Sequence, residues 1–149
     1  MRRKHLGEDH PTTRADAVAY AGVLDGLGRY AESRRIYERA LSVYEGLLGS
    51  EHYEVAAVSN NLAFVEFAEG NHPRATELAR RAYSVKAKLL GKMHPDTALS
   101  GMNLASLLPS RDLAEARDLL NEALLVFERA LAPDHPHTAR CRMLLNPAR

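Results

Sequence analysis

Four histidines recur at matching places. His10, His52, His94 and His135 are spaced 42, 42 and 41 residues apart. Imidazole is a common metal ligand and proton carrier. A zinc site, however, needs three or four ligands at one point. Residues that recur once per structural unit are carried apart as the units stack, so these four cannot meet on one ion. His135 and His137, with Asp134 beside them, are too few to make a site. A structural role at helix starts is the favoured reading, and no metal is expected. Cys141 is the single cysteine. Arg140 and Arg142 flank it and would lower its pKa, but it falls on an apolar helical stripe, where cysteine serves as a small core residue. One thiol cannot form an internal disulfide, which points to a reducing, cytoplasmic compartment. There is no Gly-rich phosphate loop and no Ser, His, Asp arrangement in a supporting context. The chain is read as no enzyme, with no cofactor.

The asparagines are better candidates for binding. Asn60, Asn61 and Asn103 fall in mid-helix positions, where asparagine has poor propensity. Asn61 and Asn103 are 42 residues apart, so stacking of the units sets them in a row. An amide offers two donors and an acceptor, which suits the backbone of an extended peptide. The competing reading is that these amides only tie neighbouring helices together.

The elements that position these residues follow from the same period. The stretch Leu6-Gly7-Glu8-Asp9-His10-Pro11 returns as Leu48-Gly49-Ser50-Glu51-His52-Tyr53, as Leu90-Gly91-Lys92-Met93-His94-Pro95, and as Leu131-Ala132-Pro133-Asp134-His135-Pro136. A fixed period of this size marks an array of supersecondary units. Between these stretches the apolar spacing is helical. Ala17, Tyr20, Ala21 and Leu24 form one face; Ile36, Tyr37, Ala40, Leu41, Tyr44, Leu47 and Leu48 form another. The pattern predicts helices over 11–27, 30–48, 53–69, 73–90, 95–108, 113–131 and 136–145. In each junction leucine is expected to make the last core contact. Glycine at Gly7, Gly49 and Gly91 supplies a left-handed helix end. Proline at Pro11, Pro95 and Pro136 suits a first helical position. Asp112 and Glu115 are expected to form a capping box. The residue missing from the third period falls in the turn 109–111, where earlier periods have glycine.

Composition bounds the rest. Apolar residues make up 46% and charged ones 26%, a globular balance. The formal net charge is +1, which gives no case for nucleic acid or an anionic membrane as partner. No apolar run is long enough to cross a bilayer. Arg2, Arg3 and Lys4 are followed by no apolar stretch, so no signal peptide is expected.

The chain resembles the tetratricopeptide repeat family, in the long-period form found in kinesin light chains. Similar arrays form the C-terminal sensor region of many bacterial signalling ATPases. The matching residues are Asn61-Leu62-Ala63 and Asn103-Leu104-Ala105 in first helices. In second helices they are Arg39-Ala40-Leu41, Arg81-Ala82-Tyr83 and Glu122-Ala123-Leu124. The junction containing Leu90, Gly91, His94 and Pro95 completes the pattern. Ala19-Tyr20-Ala21 departs from the Asn-Leu-Ala triplet, and Ser33 stands where Ala75 and Ala116 stand in the other units. Glu66 stands where Leu24 and Leu108 stand, and is expected to reach water or a partner, since a buried unpaired carboxylate is costly.

The resemblance implies an all-α solenoid of about three antiparallel helix hairpins plus a C-terminal capping helix. The expected division is 11–51, 52–93 and 94–134 as repeats within a single array, with 1–10 a remnant of a preceding helix and 135–149 a capping half-repeat. First helices would line a concave groove that binds a peptide or partner protein. By helical spacing Val18, Gly22, Asp25, Asn60, Asn61, Phe64, Phe67, Leu99, Met102, Asn103 and Ser106 would face it. The first helices carry no lysine or arginine between residues 15 and 108, so the groove is not expected to select an acidic C-terminus. Arg74, Arg80, Arg81, Lys86, Lys88 and Lys92 would form a basic, solvated outer face. The alternative function is a self-assembling or sensor module detached from a larger signalling ATPase. Its motive is the uncovered front end, Met1 to Asp9.

Overall fold

Glycine punctuates this chain, and the backbone shows why. Gly28, Gly49, Gly70 and Gly91 all have positive φ, between 75° and 88°. In the computed structural model, which describes residues 11–147 and side chains from Arg14 onward, each of them stands just past a helix end. The described residues form seven α-helices and no strand. They are α1 (Pro11–Gly26), α2 (Tyr30–Leu48), α3 (Tyr53–Ala68), α4 (His72–Leu90), α5 (Pro95–Leu107), α6 (Leu113–Ala130) and α7 (Pro136–Leu145), with a 3-10 turn at Ser110–Asp112. Each predicted boundary lies within one residue of the observed one. The expectations on 1–10, including His10, Leu6 and Gly7, lie outside the described residues.

The two hairpin turns with glycine are built alike. Arg29 N–H donates to Leu24 O at 2.9 Å and Gly28 N–H to Asp25 O at 3.0 Å. Asn71 N–H donates to Glu66 O at 2.8 Å and Gly70 N–H to Phe67 O at 3.0 Å. This crossed pair satisfies the last carbonyls of α1 and α3 and needs a positive φ at its centre. Gly49 differs from the expected left-handed helical residue. Its φ of 87° comes with ψ 164°, an extended conformation open essentially to glycine alone. The third hairpin lacks glycine and turns instead through Pro109 and the 3-10 segment.

Helix starts use the recurring histidines. His52 Nδ1 accepts from Glu54 N–H at 3.1 Å, His94 Nδ1 from Asp96 N–H at 3.0 Å, and His135 Nδ1 from His137 N–H at 3.1 Å. An imidazole thus does what Ser or Asp does at an N-cap, satisfying one orphan donor. Pro95 and Pro136 follow at the first helical position. The expected capping box is absent. Asp112 closes the 3-10 turn at φ −102°, ψ 29° and makes no side-chain cap, while Glu115 is drawn to Arg80.

The chain divides inside α4 into two units, one up to Leu78 and one from Ala79. In the first unit α2 packs on both α1 and α3, and α1 also touches α3. Tyr37, Ala40, Leu62 and Ala63 are among its fully buried side chains. The apolar stripe of α2 stops short of its expected end. Leu47 and Leu48 are 57% and 39% exposed. Leu90 is exposed too, so the junction leucines Leu48 and Leu90 are not core contacts, while Leu131 is half-buried. A final helical turn has neighbours on one side only, and periodicity reports direction rather than cover.

In the second unit α6 packs on α5, and α7 lies on α6 and touches α5. Met102, Leu104, Ala123, Phe127 and Cys141 are buried. Gly101 lets α5 approach closely: a Cβ there would stand 3.1 Å from the Tyr83 ring. Cys141 is fully buried and its thiol donates to Leu120 O at 3.1 Å. Burial pushes the thiol up to about 11. The core reading of this cysteine holds over the reactive one.

Candidate binding face

The first unit gathers part of the expected groove. Asp25 comes from the last turn of α1, Tyr30 from the start of α2, and Phe64 and Phe67 from the end of α3. These side chains, with Gly26, Val65 and Ala68, line a cleft of about 470 Å³. Volumes of this order admit small ligands or single side chains. Phe67 is 37% exposed and its ring meets His72 edge-on at 4.4 Å. Phe64 and Tyr30 are half-buried.

Asp25 is held from below. The buried Tyr37 hydroxyl donates to Asp25 Oδ2 at 2.9 Å. Burial, and then the neighbouring carboxylate, push the Tyr37 phenol well above its ordinary value, so it remains a donor. Asp25 Oδ1 is buried and has no hydrogen-bond partner among the described residues. A buried acceptor without a donor costs about 1–3 kcal/mol.

Val18, Gly22, Asn60 and Asn61 do not line this cleft. Gly22 is exposed, and Val18, Asn60 and Asn61 are half-buried. Neither Tyr30, which lines the cleft, nor the buried Tyr37, which supports Asp25, is among the residues expected at this face. Both lie on α2, and only the tight turn at Gly28 brings that helix back beside Asp25.

The second unit departs further from expectation. Met102 is fully buried and Asn103 is 6% exposed. Met102 is therefore core filler rather than groove lining, and Asn103 faces protein more than solvent. The Ser106 hydroxyl is spent on its own helix, donating to Asn103 O at 2.7 Å. Leu99 is half-buried. Ser106 does line a second cleft of about 340 Å³ with Leu108, Leu113, Leu120, Leu144 and Leu145 among its neighbours. That cleft is formed with α6 and α7, away from a surface of first helices alone.

The outer basic face is corrected at Lys86, while Arg74, Arg80, Lys88 and Lys92 are exposed as expected. Arg74 pairs with Glu38 at 2.8 Å and Arg80 pairs with Glu115. Lys86 is buried, and that burial lowers its pKa. The cations of α4 are thus largely committed within the protein. Among the described residues no group of His, Cys, Asp or Glu could hold a metal ion. No described helix is long and apolar enough to cross a membrane.

Comparison with known proteins agrees with this geometry. A tetratricopeptide repeat profile matches residues 13–88, and a second matches residues 97–137. Among solved structures, the "nearly identical TPR-like repeats" of a putative kinesin light chain from Podosopora anserina are 26% identical. The match covers 97% of this chain and 69% of that one, with a TM-score of 0.77. A single-residue variant of the same repeats gives 26% identity, 97% and 68% coverage, and a TM-score of 0.78. BtubC (BKLC) from P. vanneervenii is 22% identical. That match covers 89% of this chain and 54% of the other, with a TM-score of 0.79, and speaks to fold alone. No curated protein matches.

Proposed function

Because the chain belongs to the tetratricopeptide repeat family, whose repeats generally mediate protein–protein interaction, we propose that it is a non-enzymatic scaffold that binds a peptide or partner protein along the groove face of its first helices. The fold is the all-α solenoid of helix hairpins seen in kinesin-light-chain-like repeats. The observation that carries the groove assignment is the cleft at Asp25, Phe64 and Phe67. Three residues expected on that face converge there, with two aromatic rings partly open to solvent. Binding clefts combine such apolar walls with a few placed polar groups. Asn61, half-buried and without a side-chain hydrogen bond among the described residues, is left available to a peptide backbone. Asn103 contributes less to this reading, being buried. A reducing, cytoplasmic setting suits the lone buried thiol. Neither nucleic acid nor membrane is proposed as partner.

The test is a peptide selected from a random library and its affinity for variants. Asn61→Ala combined with Phe67→Ala should weaken it at least about tenfold while far-UV circular dichroism stays unchanged, as loss of anchor residues does. Undiminished affinity would remove the groove assignment.

A second reading is self-association. Tyr20 and Val23 on α1, and Leu27 just past its end, are 54%, 59% and 66% exposed, and their spacing puts them on one helical face. Light scattering over a concentration series tests it, with a strict monomer ruling it out.

A further inference from the structure

We propose that the cleft among Asp25, Tyr30, Phe64 and Phe67 receives a basic side chain, lysine or arginine, of the bound peptide. This rests on the groove reading and names the chemistry of its ligand. Three aromatic rings line the cleft, and aromatic faces attract cations through their quadrupole. One carboxylate stands among them, and it is incompletely satisfied. Tyr37 serves Asp25 Oδ2, while Oδ1 has no donor among the described residues. An apolar side chain in this place would leave that oxygen unserved and an acidic one would be repelled, while a neutral donor would serve it without matching its charge. An ammonium or guanidinium supplies both the charge and the N–H.

Among the described residues the protein offers no cation of its own to the cleft, since no lysine, arginine or histidine lines it. The nearest arginines in sequence are committed elsewhere. Arg29 binds both oxygens of Glu32 at 2.7 and 2.8 Å, and Arg34 pairs with Glu69 at 3.0 Å. His72 lies edge-on against Phe67 and is not among the residues lining the cleft. Helix α3 carries no basic residue at all. The charge that this face lacks is the one the ligand would bring, so complementarity favours a basic segment over an acidic one.

The experiment selects random peptides of about a dozen residues displayed on phage, long enough to span a groove face of this kind, in parallel on the wild-type chain, on Asp25→Asn and on Phe67→Ala. Asn keeps an acceptor for the Tyr37 hydroxyl, removes the charge and replaces the unserved acceptor oxygen with an N–H donor. On wild type, lysine or arginine should enrich at one fixed position. The synthetic consensus peptide should lose about tenfold in affinity when that residue becomes norleucine, the range expected for a cation held by rings and a carboxylate. On Asp25→Asn this difference should shrink to about twofold, with the rings alone remaining. Phe67→Ala, at an exposed position, should shrink it as well, and it carries the test if Asp25→Asn proves misfolded by circular dichroism. A wild-type consensus with no basic position, or a norleucine peptide that binds equally well, overturns the proposal and leaves the groove reading standing. If no peptide enriches on wild type, the groove reading falls and this proposal falls with it.

Discussion

The two units clasp their second helices with the same pair of positions and opposite charges. In the first unit Glu38 of α2 meets Arg74 of α4. In the second Arg80 of α4 meets Glu115 of α6. Glu38 and Arg80 are one period apart, as are Arg74 and Glu115, so the polarity has been exchanged. Behind the first clasp lies Glu66, which has no exposed surface. It accepts from Asn71 Nδ2 at 2.7 Å and from Arg74 at 3.3 Å, with Arg34 at 3.9 Å. Behind the second, the equivalent residue is Leu108. One clasp is thus anchored on a buried carboxylate and the other is an exposed pair over apolar packing. An exposed pair is worth little, whereas a buried charge becomes costly once its partners are gone. The repeats look interchangeable in sequence, yet their seams differ in what holds them.

The largest effect should come from stripping the buried carboxylate. Arg34→Ala with Arg74→Ala leaves Glu66 with Asn71 as its remaining side-chain donor and is expected to cost about 3–5 kcal/mol in urea unfolding. A loss below about 1 kcal/mol, the scale of an exposed pair, would erase the distinction between the seams. The N-caps offer an internal control, because they are the same in both units. His52→Ala and His94→Ala should each cost about 1 kcal/mol, and His94→Asn should recover most of it. Unequal costs would show that the histidines do more than cap.

The smallest effect belongs to the exposed clasp. Arg80→Glu should cost no more than about 1 kcal/mol, screened by salt, and Glu115→Arg added to it should restore the wild-type melting temperature. This pair also sets a pH dependence. The hydrogen bond from Arg80 is the main cause holding the Glu115 carboxyl below its ordinary value. Its contribution is therefore fully present above the unfolded carboxylate range, about pH 4.3, and is lost as pH falls through the lower folded value. The gap between wild type and Arg80→Glu should close over that acid window. A gap that persists below it would assign the effect to something other than the pair.

Helix positions were legible because they rest on local chemistry. Gly28 and Gly70 follow helix ends since the crossed turn needs positive φ. Pro95 and Pro136 open helices since their missing N–H has no role there. The binding face was legible in direction but not in depth. Spacing pointed Met102 and Asn103 the same way as Phe64 and Asn61, yet both are buried. Asp112 and Glu115 had the spacing of a capping box, but Arg80 from another helix competes for the carboxylate.

Residue order along the chain was enough to set the period, the helices, their junctions and the tetratricopeptide class, because each depends on residues within a few turns of one another. Folding alone settled which leucines are covered, which carboxylate is buried among arginines, and which of the groove residues meet in one cleft. Those outcomes depend on groups from separate helices sharing one volume, and burial and charge pairing exist only once that volume is closed.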